Sequence, residues 1–295
     1  MSFIQYASKP FISKRPTSTN VQTILKPSAP VLALCGDIGS PFCERTQKFI
    51  EWCGSQWDKV LWVPGVEEWS TQLNSNQTMR DVPYAMAQII PKKVLPLINS
   101  SWLWKKGDSE VLFLGTTLWG PCRFTSTKES QDYMYQNVKE LQSLYYRPYN
   151  KETLHRFNHT QVGTANKQAV QWLKYQVDDS REEDKTRPIV ILSYTAPSIA
   201  ALGNKDKYDL PRLAMRNHLD RVLNRPVSIW LYGDAKQNFS YTDPITNIYY
   251  SSNSGVCPTG FGPQWTVQVR SNWFPPVRTS TLLSTAPSLA LPFDE

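Results

Sequence analysis

Short, continuously apolar runs alternate along this chain with stretches whose apolar positions recur every three or four residues. The runs predict strands at Phe3–Ala7, Val31–Cys35, Val60–Val63, Val111–Leu114, Ile189–Ser193, Val227–Tyr232, Ile248–Ser251 and Thr266–Arg270. Several show no polar alternation, the pattern of strands covered on both faces. Helical spacing relates Phe42, Thr46, Phe49, Ile50 and Cys53. It also relates Met134, Val138, Leu141 and Tyr145, and again Ala165, Ala169, Trp172, Leu173 and Val177. Each stripe reads as the core-facing side of a helix. Strands that alternate with helices predict an α/β domain.

Two segments break the pattern. Ile12–Pro30, with Lys14-Arg15-Pro16 and Lys26-Pro27, reads as a loop. Near the C-terminal end, Pro275, Pro276, Pro287 and Pro292 stand among Ser and Thr. Proline lacks the amide donor that a helix or a central strand needs, so this stretch is expected to be extended. The reading is one domain over residues 1–270 and a Pro-rich tail over 271–295.

Composition supports a packed core: 40% of residues are hydrophobic and 19% charged. No apolar run is long enough to span a membrane, and the first residues lack the basic start and apolar run of a signal peptide. An intracellular, cytoplasmic protein is expected. The five cysteines are scattered without a CxxC pair, which reads as free thiols in a reducing compartment. Without a secretion signal, the sequons at Asn76, Asn99, Asn158 and Asn238 carry no expectation of glycosylation. The net charge of +7 is spread along the chain, with short pairs at Lys92-Lys93 and Lys105-Lys106. It reads first as a solvated basic surface.

The chemistry lies in an ordered set of short blocks. Ile4-Gln5-Tyr6-Ala7-Ser8 opens the chain. Leu34-Cys35-Gly36-Asp37-Ile38-Gly39 and Val63-Pro64-Gly65-Val66-Glu67-Glu68-Trp69 follow. Then come Leu114-Gly115-Thr116-Thr117-Leu118-Trp119, Ser193-Tyr194-Thr195-Ala196-Pro197-Ser198, and Trp230-Leu231-Tyr232-Gly233-Asp234-Ala235-Lys236. Over roughly Ile4 to Pro263 this succession resembles the calcineurin-like metallophosphoesterases. That family reads, in order, Asp-x-His, Gly-Asp-x-x, Gly-Asn-His-Glu, a Thr-His-His-Ala-Pro-Ser-like block and Gly-His-x-His. The resemblance implies a four-layer α/β sandwich, with two mixed β-sheets packed face to face and helices outside. It also implies a site at strand ends, where two divalent metals activate a water toward a phosphate ester.

The departures from that pattern are as informative as the matches. Lys9, Pro10 and Phe11 stand where the resemblance puts Asp-x-His. Asp37 keeps the bridging carboxylate, and Gly65 and Glu68 remain. Val66 replaces the Asn ligand, Glu67 the catalytic His, Tyr194 a ligand His, and Asp234 and Lys236 the last two His. The three histidines of the chain, His155, His159 and His218, lie outside every block. Lys9 or Lys236 is expected to pair with Asp37, Glu67 or Asp234, an ammonium supplying the charge that a metal supplies in the family.

The degenerate site is thus Lys9, Phe11, Asp37, Val66, Glu67, Tyr194, Asp234 and Lys236, with no catalytic residue and no cofactor. If any metal is held, oxygens of Asp37, Glu67 and Asp234 would hold it. The expected function is that of a pseudoenzyme: a structural or protein-interaction component of a larger assembly, with the tail as its docking arm. Degenerate members of this class occur in large DNA viruses, which adds a virion component to the expectation. Two alternatives stand beside it: a divergent metal-dependent phosphoesterase with an oxygen-ligand site, and a nucleic-acid or nucleotide binder using the old phosphate cleft.

Overall fold

In a computed structural model of the chain, the apolar runs become the central strands of two sheets. The structure describes residues 2–71, 77–89, 91–122, 127, 129, 138, 142–148, 153–198, 200–201, 217–219, 223, 226–235, 238–255 and 266–269. Lys236, Met134, Leu141, Cys257, Asn76 and the whole of the expected tail lie outside them.

The first sheet orders β13 (Thr266–Val269), β1 (Ser2–Ala7), β2 (Val31–Cys35), β3 (Lys59–Val63) and β4 (Val94–Pro96). Only β13 runs antiparallel to its neighbour. The second sheet orders β11 (Phe239–Thr242), β12 (Tyr249–Ser252), β10 (Val227–Tyr232), β9 (Ile189–Ser193), β6 (Ser109–Thr116) and β5 (Ser100–Lys106). Its four inner strands are parallel and its two edge strands antiparallel. A short hairpin of β7 (Tyr145–Tyr146) and β8 (His155–Arg156) stands apart.

Alternate side chains of the central strands point to opposite faces, so each sheet buries both. Ile4, Tyr6, Ala33, Cys35, Leu61 and Val63 of one sheet meet Phe113, Val190, Leu192, Ile229 and Leu231 of the other. The outer face of the first sheet packs Leu32, Leu34, Val60 and Trp62 against Phe49, Ile50 and Cys53 of α1 (Glu44–Gln56). The outer face of the second packs Leu114, Ile191 and Trp230 against Ala169, Leu173 and Val177 of the long helix α4 (His159–Glu183). Two sheets face to face with helices outside is the four-layer sandwich expected from the sequence. Each large apolar side chain taken fully out of water contributes about 1.5–3 kcal/mol.

Local signals place the helix ends. Asn158 accepts from Thr160 N and Gln161 N, while Gln161 accepts from Asn158 N. This reciprocal box starts α4 where the third apolar stripe begins. α2 (Val66–Trp69) is a single turn, and α3 (Asp81–Gln88) follows.

Differences from the sequence reading are local. Phe42 precedes α1 rather than joining it. Tyr145, placed by spacing on a helix, lies in β7, paired with Arg156. The Ile12–Pro30 loop contains two 3-10 turns, Ile12–Lys14 and Val21–Thr23. Among the described residues, no helix is long and apolar enough to cross a membrane.

Candidate functional site

Parallel strands deliver their C-terminal loops to one edge of a sheet, where α/β folds build their sites. Here the loops after β1, β2, β3, β9 and β10 meet at one such edge. Lys9 N donates to Gly36 O and Phe11 N to Asp37 O, joining the loop after β1 to the loop after β2. Gly233 N and Asp234 N both donate to Tyr194 O, joining the loops after β9 and β10. Lys9, Phe11 and Asp37 all hold positive φ, at 53°, 46° and 55°. Non-glycine residues reach that region at a cost, and they persist there only where the surroundings fix them.

Glu68 anchors the loops and is 0% exposed. Its carboxylate accepts from Asp37 N at 2.9 Å, Ile38 N at 2.7 Å, Gly39 N at 3.3 Å, Gly65 N at 2.7 Å and Trp62 Nε1 at 3.3 Å. The sequence reading gives Glu68 no role beyond surviving in its block. The signal is nevertheless present: Gly65 at a helix start with Glu68 three residues on is the spacing by which a side chain reaches back to the first amide.

Asp37 sits directly on this anchor. Its Oδ1 accepts from Glu67 N at 2.8 Å and its Oδ2 from the Tyr194 hydroxyl at 2.8 Å. Lys9 Nζ lies 2.9 Å from Asp234 Oδ1 and 5.7 Å from the centre of the Tyr194 ring. Lys9 is 6% exposed, Asp37 and Tyr194 4%. Burial pushes the Asp37 carboxyl up from the ordinary range, against the pull of Lys9, the Glu67 amide and the Tyr194 hydroxyl. Glu68 is raised by burial and by the nearby Asp37 charge.

Of the eight positions singled out in the sequence, seven lie on these joined loops, and Lys236 falls outside the described residues. Lys9 makes the expected ion pair, with Asp234. Glu67 differs: its amide serves Asp37, but its carboxylate accepts from Ser13 and pairs with Lys14. Val66 is half-buried and packs against the α1-side core. Cys35 lies in the inter-sheet core, where burial pushes its thiol above the usual value and away from reactivity.

These residues do not fit the dinuclear metal centre that the resemblance implies. Both Asp37 oxygens already take protein donors, and Asp234 Oδ1 takes an ammonium. Among the described residues, no group of three or more His, Cys, Asp or Glu is placed to hold a metal ion.

The fold defined by these sheets is metallophosphoesterase-like. The phosphopantetheinyl hydrolase of Mycobacterium tuberculosis superposes with a TM-score of 0.65 over 93% of this chain and 98% of its own, at 14% identity. The protein TT1561 of Thermus thermophilus superposes with a TM-score of 0.44 over 86% of this chain and 89% of its own, at 13% identity. In sequence, the chain is 24% identical over 209 residues to the uncharacterized protein L509 of Acanthamoeba polyphaga mimivirus. That alignment covers 68% of this chain and 70% of the viral protein. No protein-family model matches.

Proposed function

We propose that this chain is a pseudoenzyme: it keeps the metallophosphoesterase-like fold and works without catalysis, as a structural or protein-interaction component of a larger assembly. The observation that carries the reading is the state of Asp37. A bridging carboxylate needs further ligands around it to hold its cations, and here the partners of Asp37 are the Tyr194 hydroxyl on one oxygen and the Glu67 amide on the other. The neighbouring Asp234 faces the Lys9 ammonium, which supplies charge but no Lewis acidity. A domain without its reactive groups is used for its surface. Similarity to a mimivirus protein supports a large DNA virus as the setting, and a virion as the assembly.

The tail over residues 271–295 is the docking arm in this reading. Its apolar Trp273, Phe274, Leu289 and Phe293 are interspersed with prolines that lower the entropy lost on ordering. Steady-state assays with phosphomonoesters and phosphodiesters in Mn²⁺, Mg²⁺, Zn²⁺ or Ni²⁺ should give background rates. Turnover that depends on one of these metals and vanishes in Asp37→Asn would refute the proposal.

A further inference from the structure

The open edges of the two sheets differ in how they are protected. A strand at a sheet edge presents unpaired N–H and C=O groups to any other strand, and proteins blunt such edges with proline, lysine or brevity. β4 has three residues and ends at Pro96. β5 ends in Lys105 and Lys106, and Lys59 lies over its Trp102. Among the described residues, β11 is the outermost strand on the other side of the second sheet, and it carries neither proline nor lysine. From Asn238 to Ile248 the one charged residue is Asp243. Its Oδ1 accepts from Ile245 N and Thr246 N at 2.8 Å each and from Thr246 Oγ1 at 3.1 Å, so its carboxylate serves the turn between β11 and β12.

The direction of the free backbone groups follows from the pairing with β12. Asp243 N donates to Ile248 O at 3.0 Å, and the same register pairs Tyr241 with Tyr250 and Phe239 with Ser252. Successive residues of an antiparallel strand direct their backbone groups to opposite sides. Phe239, Tyr241 and Asp243 therefore face β12, and Ser240 and Thr242 present N–H and C=O outward. The side chains of Ser240 and Thr242 are exposed, whereas Phe239 and Tyr241 are half-buried on the helix-covered face. On that face an aromatic row crosses the sheet. Trp230 of β10 stacks on Tyr250 of β12 with ring centres 6.2 Å apart, and Tyr250 stacks on Tyr241 at 6.5 Å. The row reaches the free edge at Tyr241.

We propose that β11 is an interaction surface for a second copy of this chain, joined edge to edge and antiparallel about a two-fold axis at Tyr241. Self-complementarity decides the partner: a two-fold contact sets one patch against itself. The two outward residues flank Tyr241, so Ser240 exchanges both backbone bonds with Thr242 of the second copy, and Thr242 does the same with Ser240 of that copy. Tyr241 then meets its counterpart as the close, non-hydrogen-bonded pair, with about 4.5 Å between Cα atoms. The aromatic row runs on through both copies, and cross-strand aromatic pairs are stabilising. Neither strand brings a charge to the contact. A pairing of four residues per copy is smaller than a standard interface, so the dimer is weak and depends on concentration. This contact is separate from the tail and does not rest on the absence of catalysis.

The test is sedimentation velocity of the full chain over a wide range of concentration. The parent should pass from monomer to dimer as concentration rises. Ser240→Lys with Thr242→Lys sets ammonium against ammonium across the axis and should weaken the dimer about fivefold or more. Ser240→Lys with Thr242→Glu sets opposite charges at the same places and should dimerise at least as well as the parent. Tyr241→Cys gives a readout without added charge: its two sulfurs meet across the axis within the span of a disulfide, and mild oxidation should cross-link it. Thr242→Cys, whose sulfurs are offset by two residues in this register, should cross-link no more than the parent. A parent that stays monomeric at every concentration overturns the proposal. So does a dimer that withstands Ser240→Lys with Thr242→Lys, a dimer weakened equally by both charge variants, or equal cross-linking of the two cysteine variants.

Discussion

Tyr194 donates a hydrogen bond from its hydroxyl to Asp37 Oδ2 across 2.8 Å, joining the end of β9 to the end of β2, and each of the two residues is 4% exposed. Removing the donor leaves a buried charge with one partner fewer. Tyr194→Phe should therefore destabilise the protein by about 1.5–3 kcal/mol in urea unfolding, the range for a hydrogen bond to a charged group. A change under half of that would mean that Asp37 does not depend on Tyr194.

Among the described residues, Lys9 is the buried cation of the site, with 7% of its side chain exposed. Lys9→Met leaves Asp234 and Asp37 facing each other without it. Breaking a buried pair by removing one partner costs about 3–5 kcal/mol. Asp234 is more exposed, at 17%, so the lower end is expected. Adding Asp234→Asn to Lys9→Met should recover part of the loss. Strict additivity of the two single changes would show that the pair does not interact.

Asp37 and Glu68 set a pH dependence. Both are raised above the ordinary carboxylate range, chiefly by burial. Between that ordinary range and their raised folded values, the folded state binds more protons than the unfolded chain. Stability from this pair therefore grows on acidification and falls as pH rises from about 4 to about 7. Other carboxylates work in the opposite sense, so the measurement is a difference. The melting temperature of Asp37→Asn minus that of the parent should increase over this window, and a constant or decreasing difference would contradict the assignment.

Gly233 and Gly65 should not tolerate a side chain. A Cβ on Gly233 would lie 1.6 Å from Cys35 O, which is backbone and cannot yield. A Cβ on Gly65 would lie 2.6 Å from Asp37 N and 2.6 Å from Tyr194 Cδ2. Gly233→Ala should abolish soluble expression, whereas Gly65→Ala should fold with a melting temperature lower by several degrees and with the Tyr194–Asp37 bond broken. A Gly233→Ala protein as stable as the parent would refute the packing of β10 against β2.

Much of this is legible in the chain. Several central strands, such as β2 and β9, are nearly continuous apolar runs, the pattern that burial on both faces favours, while β1 and β10 carry one buried polar residue each, Gln5 and Ser228. β5 is not legible, because Trp102 and Trp104 alternate with Ser101 and Leu103 and merge into Lys105 and Lys106. At an edge, one side of the strand faces water and the apolar run breaks up. β11 is too short to show its alternation, although Phe239 and Tyr241 are half-buried while Ser240 and Thr242 are exposed. Tyr145 matches a helical stripe by spacing, but its local pairing with Arg156 makes it a strand. At the site, the block order points to Lys9, Asp37, Tyr194 and Asp234. Which partner each chooses is not readable, because Tyr194 and Asp37 are 157 residues apart and their bond depends on the sandwich closing.

The central claim is that an internal ammonium and protein hydrogen bonds occupy a site built for metal ions. It is tested most directly by elemental analysis of the purified chain, dialysed against each of Mn²⁺, Zn²⁺ and Ni²⁺ and then freed of loose ions. The account predicts far less than one ion per chain, the same in the parent and in Asp37→Asn, and a melting temperature unmoved by EDTA. One or two ions per chain, lost in Asp37→Asn and stripped by EDTA with a fall in melting temperature, would contradict it.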